Sequence, residues 1–205
     1  MTVISVIVGS TRQGRFSEKP ARWIFQHLKH RSGIDAQLLD LRDFPMPFFD
    51  QPVPPAMPGR PPYENEVVKQ WTAEIGRSDG FIFVTPEYNY GPAAVLKNAL
   101  DYAEDLRMDE RSYFDGIAVG VIACAGGWQA AVQTMGALRE IAHALRGWPT
   151  PLGAALNTSV RLFDDAGECL DLSSKFQLEN VGRQVVQFAA MRQGYMGQSA
   201  AVSAG

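Results

Sequence analysis

The chain has 205 residues, with 19 Lys and Arg against 22 Asp and Glu for a formal net charge of −3, and 46% hydrophobic against 20% charged residues. That length and usage suit one globular domain with its own core and argue against a disordered chain. The mild acidity argues against a general nucleic-acid binder, which needs a basic face to neutralise phosphates. Cys124 and Cys169, the two cysteines, cannot make a disulfide framework. No apolar run approaches the roughly 18 residues of a membrane span, and Met1–Gly9 lacks the basic region and cleavage site of a signal peptide. A cytoplasmic protein is expected.

In chain order, Val3–Val8 is a short apolar run ending at Gly9-Ser10. Ser17–His30 follows with Ala21, Ile24, Phe25 and Leu28 three or four apart, one buried helix face. Ala36–Leu41 is a second apolar run, so the first 41 residues predict a βαβ unit with parallel strands. Eight of the 13 prolines fall between Phe44 and Pro62. Proline donates no backbone N–H and fixes its own φ, so this stretch is neither helix nor central strand. A loop of that length is either a stiff surface connection or a functional segment.

Tyr63–Arg77 predicts a helix and Gly80–Thr85 a strand. After Pro86–Pro92 comes a helix with Val95, Leu96, Ala99, Leu100 and Ala103 on one face, and Pro92 suits its first turn. Gly116–Ala123 predicts a buried strand, followed by a helix to about Arg146 that Trp148-Pro-Thr-Pro151 stops. Leu152–Asn157 is a last strand and Ser173–Gly194 a last helix. Residues 197–205, rich in Ser, Ala and Gly, are expected to be a disordered tail, leaving 1–196 as one domain. Five strands alternating with five helices predict an α/β, flavodoxin-like, doubly wound five-stranded parallel sheet of order 2-1-3-4-5.

In such a sheet a ligand binds beyond the carboxyl ends of the strands where the order reverses, between strands 1 and 3. The loops after Val8, Val84 and Ala123 therefore belong together. Gly9-Ser-Thr-Arg-Gln-Gly-Arg-Phe-Ser17 offers three hydroxyls and two arginines at a helix N-terminus, which suits a phosphate monoester. Its Gly9-x4-Gly14 spacing is that of a Walker A loop, but Arg15-Phe16 stands where Lys-Ser/Thr is required. A turn capped by Ser10 and Ser17 is the plainer reading. Thr85-Pro-Glu-Tyr-Asn-Tyr-Gly-Pro92 is a stiff loop whose aromatic and polar edges suit a flat heterocycle. Ala125-Gly-Gly-Trp128 lets backbone approach a ligand closely, or merely turns into the next helix. His27, His30 and His143 have no metal-ligand spacing, and there is no G-x-S-x-G nucleophile elbow. Cys124, at a strand end, reads as a small core residue.

On these three loops the sequence resembles the NADPH-dependent FMN reductase family of flavodoxin-like proteins, from about Val3 to Leu156. The most specific piece is Thr85-Pro-Glu-Tyr-Asn-Tyr-Gly-Pro-Ala-Ala-Val-Leu-Lys-Asn-Ala-Leu-Asp101, with Gly9-Ser-Thr-Arg12 as its correctly placed partner. The resemblance implies that FMN is the cofactor and NADPH the hydride donor. It implies that Ser10, Thr11, Arg12, Arg15, Phe16 and Ser17 surround the FMN phosphate. It further implies that Pro86, Glu87, Tyr88, Asn89 and Tyr90 line the isoalloxazine, with Gly126 and Gly127 at its pyrimidine edge. Many members have Ser and Asn where Arg15 and Ser17 stand, and a second Gly-Gly where this chain has Trp128-Gln129-Ala130. Because the chemistry belongs to the cofactor, no catalytic acid–base residue and no metal is expected. The family implies a homodimer or homotetramer, with the helices after Pro92 and Trp128 as contact faces. An electron carrier without a nicotinamide site, a quinone, azo or chromate reductase, and a flavin-binding regulator are the alternatives.

Overall fold

Each apolar run becomes a strand of one sheet. The structure is a computed structural model that describes residues 1–104, 112–127 and 129–203. In chain order its elements are β1 (Thr2–Val8), α1 (Glu18–Lys29), β2 (Ile34–Asp40), α2 (Glu66–Gly76), β3 (Gly80–Tyr88), β4 (Gly91–Pro92) and α3 (Ala94–Ala103). Then come β5 (Ala118–Ala125), α4 (Val132–Ala144), β6 (Trp148–Pro149), β7 (Ala154–Asn157) and α5 (Leu172–Ser203). The sheet runs β2-β1-β3-β5-β6, with β7 also on β5 and with every one of these pairings parallel. This is the flavodoxin-like order, with β6 and β7 sharing the fifth position.

That sharing corrects the single last strand expected over Leu152–Asn157. Thr150 still donates its N–H to Val119 O at 2.9 Å, but Pro151 has no N–H and Leu152 turns to Gln184 Oε1 at 3.1 Å. The ladder resumes at Ala154, opposite Ile122. Another difference is β4, a two-residue antiparallel return that pairs Pro92 with Glu87 and so places Pro92 before α3 rather than in its first turn. A third difference is the last helix: α5 spans Leu172–Ser203, past its expected end at Gly194. Extending an existing helix costs little per residue, and Ala200 and Ala201 are strong helix formers.

Both faces of the sheet are covered, because side chains alternate along a strand. On one face Phe81 and Phe83 meet Trp71 of α2, Leu100 of α3 and Leu138 of α4. On the other, Ile82 and Val84 meet Ile24 of α1 and Val181 and Val185 of α5. At Gly120 a Cβ would lie 2.6 Å from Val181 Cγ1, so the missing side chain lets α5 press against β5. The proline-rich segment is strapped down rather than free. Phe49 N–H donates to Asn98 Oδ1 at 2.8 Å, Asn98 Nδ2 donates to Pro47 O at 2.8 Å, and Phe44 packs edge-on against Trp71. No helix among the described residues is long and apolar enough to cross a membrane. Cys124 is buried and reduced, and burial pushes its thiol far above the ordinary range.

Candidate functional site

The parallel order places the ends of β1, β3 and β5 side by side, and the three loops meet there. Gly9 is a close approach: a Cβ would sit 2.8 Å from Leu96 Cδ2 and 2.9 Å from Val84 O. The chain then turns through Ser10 to Ser17 into α1. Ser10 is buried; its hydroxyl shares a 3.2 Å hydrogen bond with Tyr88 OH and accepts the Arg12 N–H at 3.4 Å. The first and second loops are thereby joined.

Arg15 and Arg12 have opposite fates. Arg15 is buried and its guanidinium donates to Ser10 O at 2.5 Å, to Asp40 Oδ1 at 2.7 Å, to Asp40 Oδ2 and to Glu18 Oε2 at 3.2 Å. It builds the loop from behind, with four N–H groups already engaged. Arg12 is exposed, and its guanidinium meets no protein acceptor among the described residues. Arg42, just past β2, clamps the loop from outside by donating to Thr11 O at 3.3 Å and to Arg12 O at 2.7 Å. Thr11 is exposed, while Phe16 is half-buried and its ring packs 5.9 Å from Phe163. Burial alone would raise the Asp40 carboxyl, but hydrogen bonds from Arg15 and the Arg42 N–H, with their charges, hold it below the ordinary carboxylate range. Glu18 is lowered too, first by Arg22 and, against the cost of burial, by Arg15.

The second loop is a two-residue hairpin. Tyr88 pairs with Gly91, and Asn89 and Tyr90 both have positive φ, 50° and 64°, as a type I′ turn requires. Asparagine tolerates that conformation; a tyrosine there is strained. The third loop is strained as well, with Ala130 at φ 46° and Ala131 at 65° leading into α4. Its Gly127, at φ 129°, donates its N–H to Asn157 Oδ1 at 3.4 Å. Trp128 lies outside the described residues. Glu87 crosses from the second loop to α4, where its Oε2 accepts the Thr134 N–H at 2.9 Å. Glu87, Asn89, Tyr90, Gly126, Gly127 and Ala130 line one cavity of about 340 Å³. A larger concavity of about 820 Å³ lies between α1 and residues 164–168, lined by Trp23 and His27, and shares no residue with the three loops.

Sequence reasoning did not find Asp40, Glu18, Arg42, Asn157 or Thr134. Asp40 had a signal, since it ends the strand beside β1 and a carboxylate there faces the same loops. Among the described residues, two buried side-chain atoms lack a hydrogen-bond partner: Ser17 Oγ and Thr134 Oγ1. A sequence model of NADPH-dependent FMN reductases matches residues 2–159. The chain belongs to that family.

Among its relatives is the NAD(P)H-dependent FMN reductase of Schizosaccharomyces pombe, 42% identical over 99 residues, 48% of this chain and 49% of that one. The chain spans about half the length of that relative. A quinone reductase of Pseudomonas putida is 28% identical over 177 residues, 84% of this chain and 87% of the other. Among solved structures, the flavoenzyme NAD(P)H:(acceptor) oxidoreductase of Paracoccus denitrificans superposes with a TM-score of 0.69 at 21% identity, over 92% of this chain and 97% of that one. That likeness is one of fold, and it agrees with the strand order above.

Proposed function

We propose that this family member is an NADPH-dependent reductase of small molecules, in which bound FMN supplies acceptance of a hydride from NADPH and its delivery to a second acceptor. The observation that carries this reading is Ser17. Its hydroxyl is fully buried at the N-terminus of α1 and has no hydrogen-bond partner among the described residues, and Arg12 of the same loop is exposed with no protein acceptor for its guanidinium. A buried polar group left unpaired costs about 1–3 kcal/mol, and a phosphate oxygen at this helix N-terminus removes that cost. The residues present therefore fit FMN. Ser17, Ser10, Thr11 and Arg12 would hold its phosphate, with Arg15 acting from behind as the residue that shapes the loop and Phe16 packing on its far side.

Pro86, Glu87, Tyr88, Asn89 and Tyr90 with Gly126 and Gly127 would form the walls for its ring system. The positive-φ turn fixes Tyr90 rigidly, which favours orientation of a hydride donor against the ring. Exposure of Tyr88 and Tyr90 keeps that wall open to a second substrate. A planar conjugated second acceptor such as a quinone is favoured by the likeness to the P. putida quinone reductase. A cytoplasmic homodimer or homotetramer completes the reading; exposed Val132 at the start of α4 supports a subunit contact beside the cavity.

Anaerobic NADPH oxidation, recorded with and without added FMN, tests the reading. Oxidation that scales with added FMN marks a reductase that releases reduced flavin, whereas a single bleaching of bound flavin marks a prosthetic group awaiting its acceptor. Absence of both flavin binding and NADPH oxidation would sink it.

A further inference from the structure

The start of α4 is built against local preference. A helix leaves its first N–H groups without intrahelical partners and carries about half a positive charge at that end. The usual remedy is a Ser, Thr, Asp or Asn side chain at the N-cap. Here the N-cap is Ala131, in a left-handed conformation and with no side-chain oxygen to offer. The third residue of the helix, Thr134, instead donates its N–H to Glu87, 47 positions earlier in the chain, at 2.9 Å. The Thr134 hydroxyl, fully buried beside that bond, has no partner, and Val132 N–H reaches Gln129 O at 3.2 Å, so among the described residues Glu87 is the side chain that caps this helix end.

Glu87 also lines the 340 Å³ cavity, and so do Ala130 at the helix entrance and Asn89 and Tyr90 of the hairpin. Two strained segments thus face each other across the cavity, and the Glu87–Thr134 bond ties them together. We propose that Glu87 sets the electron affinity of the site. Its carboxylate cancels the partial positive charge that α4 would otherwise present to the cavity, and leaves that wall net negative. A negative wall disfavours the electron-rich form of a bound redox group and so favours onward delivery of electrons to the acceptor. Glu87 is in this sense a positioning and potential-setting residue; it takes no proton and forms no bond in the reaction. The inference rests on the reading of the cavity as the FMN ring site.

E87Q is the discriminating variant, because a glutamine carbonyl can still accept the Thr134 N–H while the charge is gone. FMN affinity of the wild type and E87Q is measured by fluorescence quenching, and the bound flavin's reduction potential by titration against a reference dye. The expected result is oxidised-FMN affinity within about threefold of wild type, with a potential raised in E87Q as reduced flavin tightens three- to tenfold. For a two-electron couple a tenfold change corresponds to about 30 mV. E87D, which keeps the charge but shortens the reach, should stay near the wild-type potential and lose thermal stability. FMN bound to both proteins at equal potentials, or a lower potential in E87Q, overturns this inference and leaves the FMN site standing. Failure of the wild type to bind FMN overturns both.

Discussion

The two ends of the site are held by different physics. The first loop is fixed by side-chain charge: Arg15 sits between Asp40 and Glu18, and Arg42 clamps the outside. The second and third loops are fixed by backbone conformation, with four non-glycine residues at positive φ and a single carboxylate between them. Charge suits the end proposed to hold the FMN phosphate, since it can be placed behind the loop without facing the ligand. Strain suits the end proposed to present flat walls to the ring, because a turn with both central residues at positive φ has little freedom to adapt. The first end should therefore respond to pH and to charge deletion, and the second to glycine.

The largest effect is expected from D40A. Removing one partner of a buried ion pair typically costs about 3–5 kcal/mol, because the remaining charge stays buried. Glu18 remains beside Arg15, so roughly 3 kcal/mol is expected by urea denaturation, together with loss of FMN binding. A loss under about 1 kcal/mol would show that the loop is not held by this pair.

The same pair gives a pH dependence whose sign is fixed. Asp40 and Glu18 are both held below their ordinary values of 3.8 and 4.5 in the folded state. Their contribution is fully present above those values and is lost as pH falls through the depressed ones. The urea midpoint should hold steady from neutral pH down to about 5, then fall below about pH 4. D40N should flatten that fall; an equally steep one would place the acid sensitivity elsewhere.

Next in size is R12A. Its guanidinium is exposed and meets no protein acceptor among the described residues, so stability should not change. A charged hydrogen bond to phosphate is worth about 1.5–3 kcal/mol, roughly tenfold to a hundredfold in FMN dissociation constant. The contrast with D40A is the point: one variant loses ligand alone, the other loses ligand and fold. Equal FMN affinity in R12A and the wild type would remove Arg12 from the site.

Much of the sheet could be read from residues, because buried parallel strands are near-continuous apolar runs such as Val3–Val8 and Gly116–Ala123. The fifth strand could not, since its break at Pro151 depends on Gln184 of α5 taking over a ladder N–H. In the site, the identity of the loops was visible but the division of labour was not. Arg12 and Arg15 look equivalent three positions apart; the fold separates them by bringing Asp40 from β2, with Glu18 and Ser10 O, onto Arg15. Ala130 and Ala131 give no sign of a left-handed conformation, which their sequence does not favour and the fold imposes. Glu87 reads from its loop as a ring contact, while its carboxylate's reach to Thr134 is a tertiary contact that no local spacing encodes.

The smallest effect tests the strained end. Tyr90 holds the second central position of the hairpin turn at φ 64°, where glycine is the ordinary occupant. Left-handed non-glycine residues cost about 1–3 kcal/mol, and a glycine gives back roughly 0.5–1 kcal/mol through its freer unfolded chain. Y90G should therefore gain about 0.5–1 kcal/mol, some 1–4 °C in Tm for a chain of this size. It should also weaken the aromatic wall, raising the KM for a quinone acceptor while leaving FMN phosphate contacts intact. A Tm that falls would mean that Tyr90 packs well enough to offset its own backbone. Strain at this end would then be carried by Ala130 and Ala131, and A130G would become the stabilising change. The gain in one variant and the loss of substrate affinity in the same variant together distinguish strain kept for function from strain that is merely tolerated.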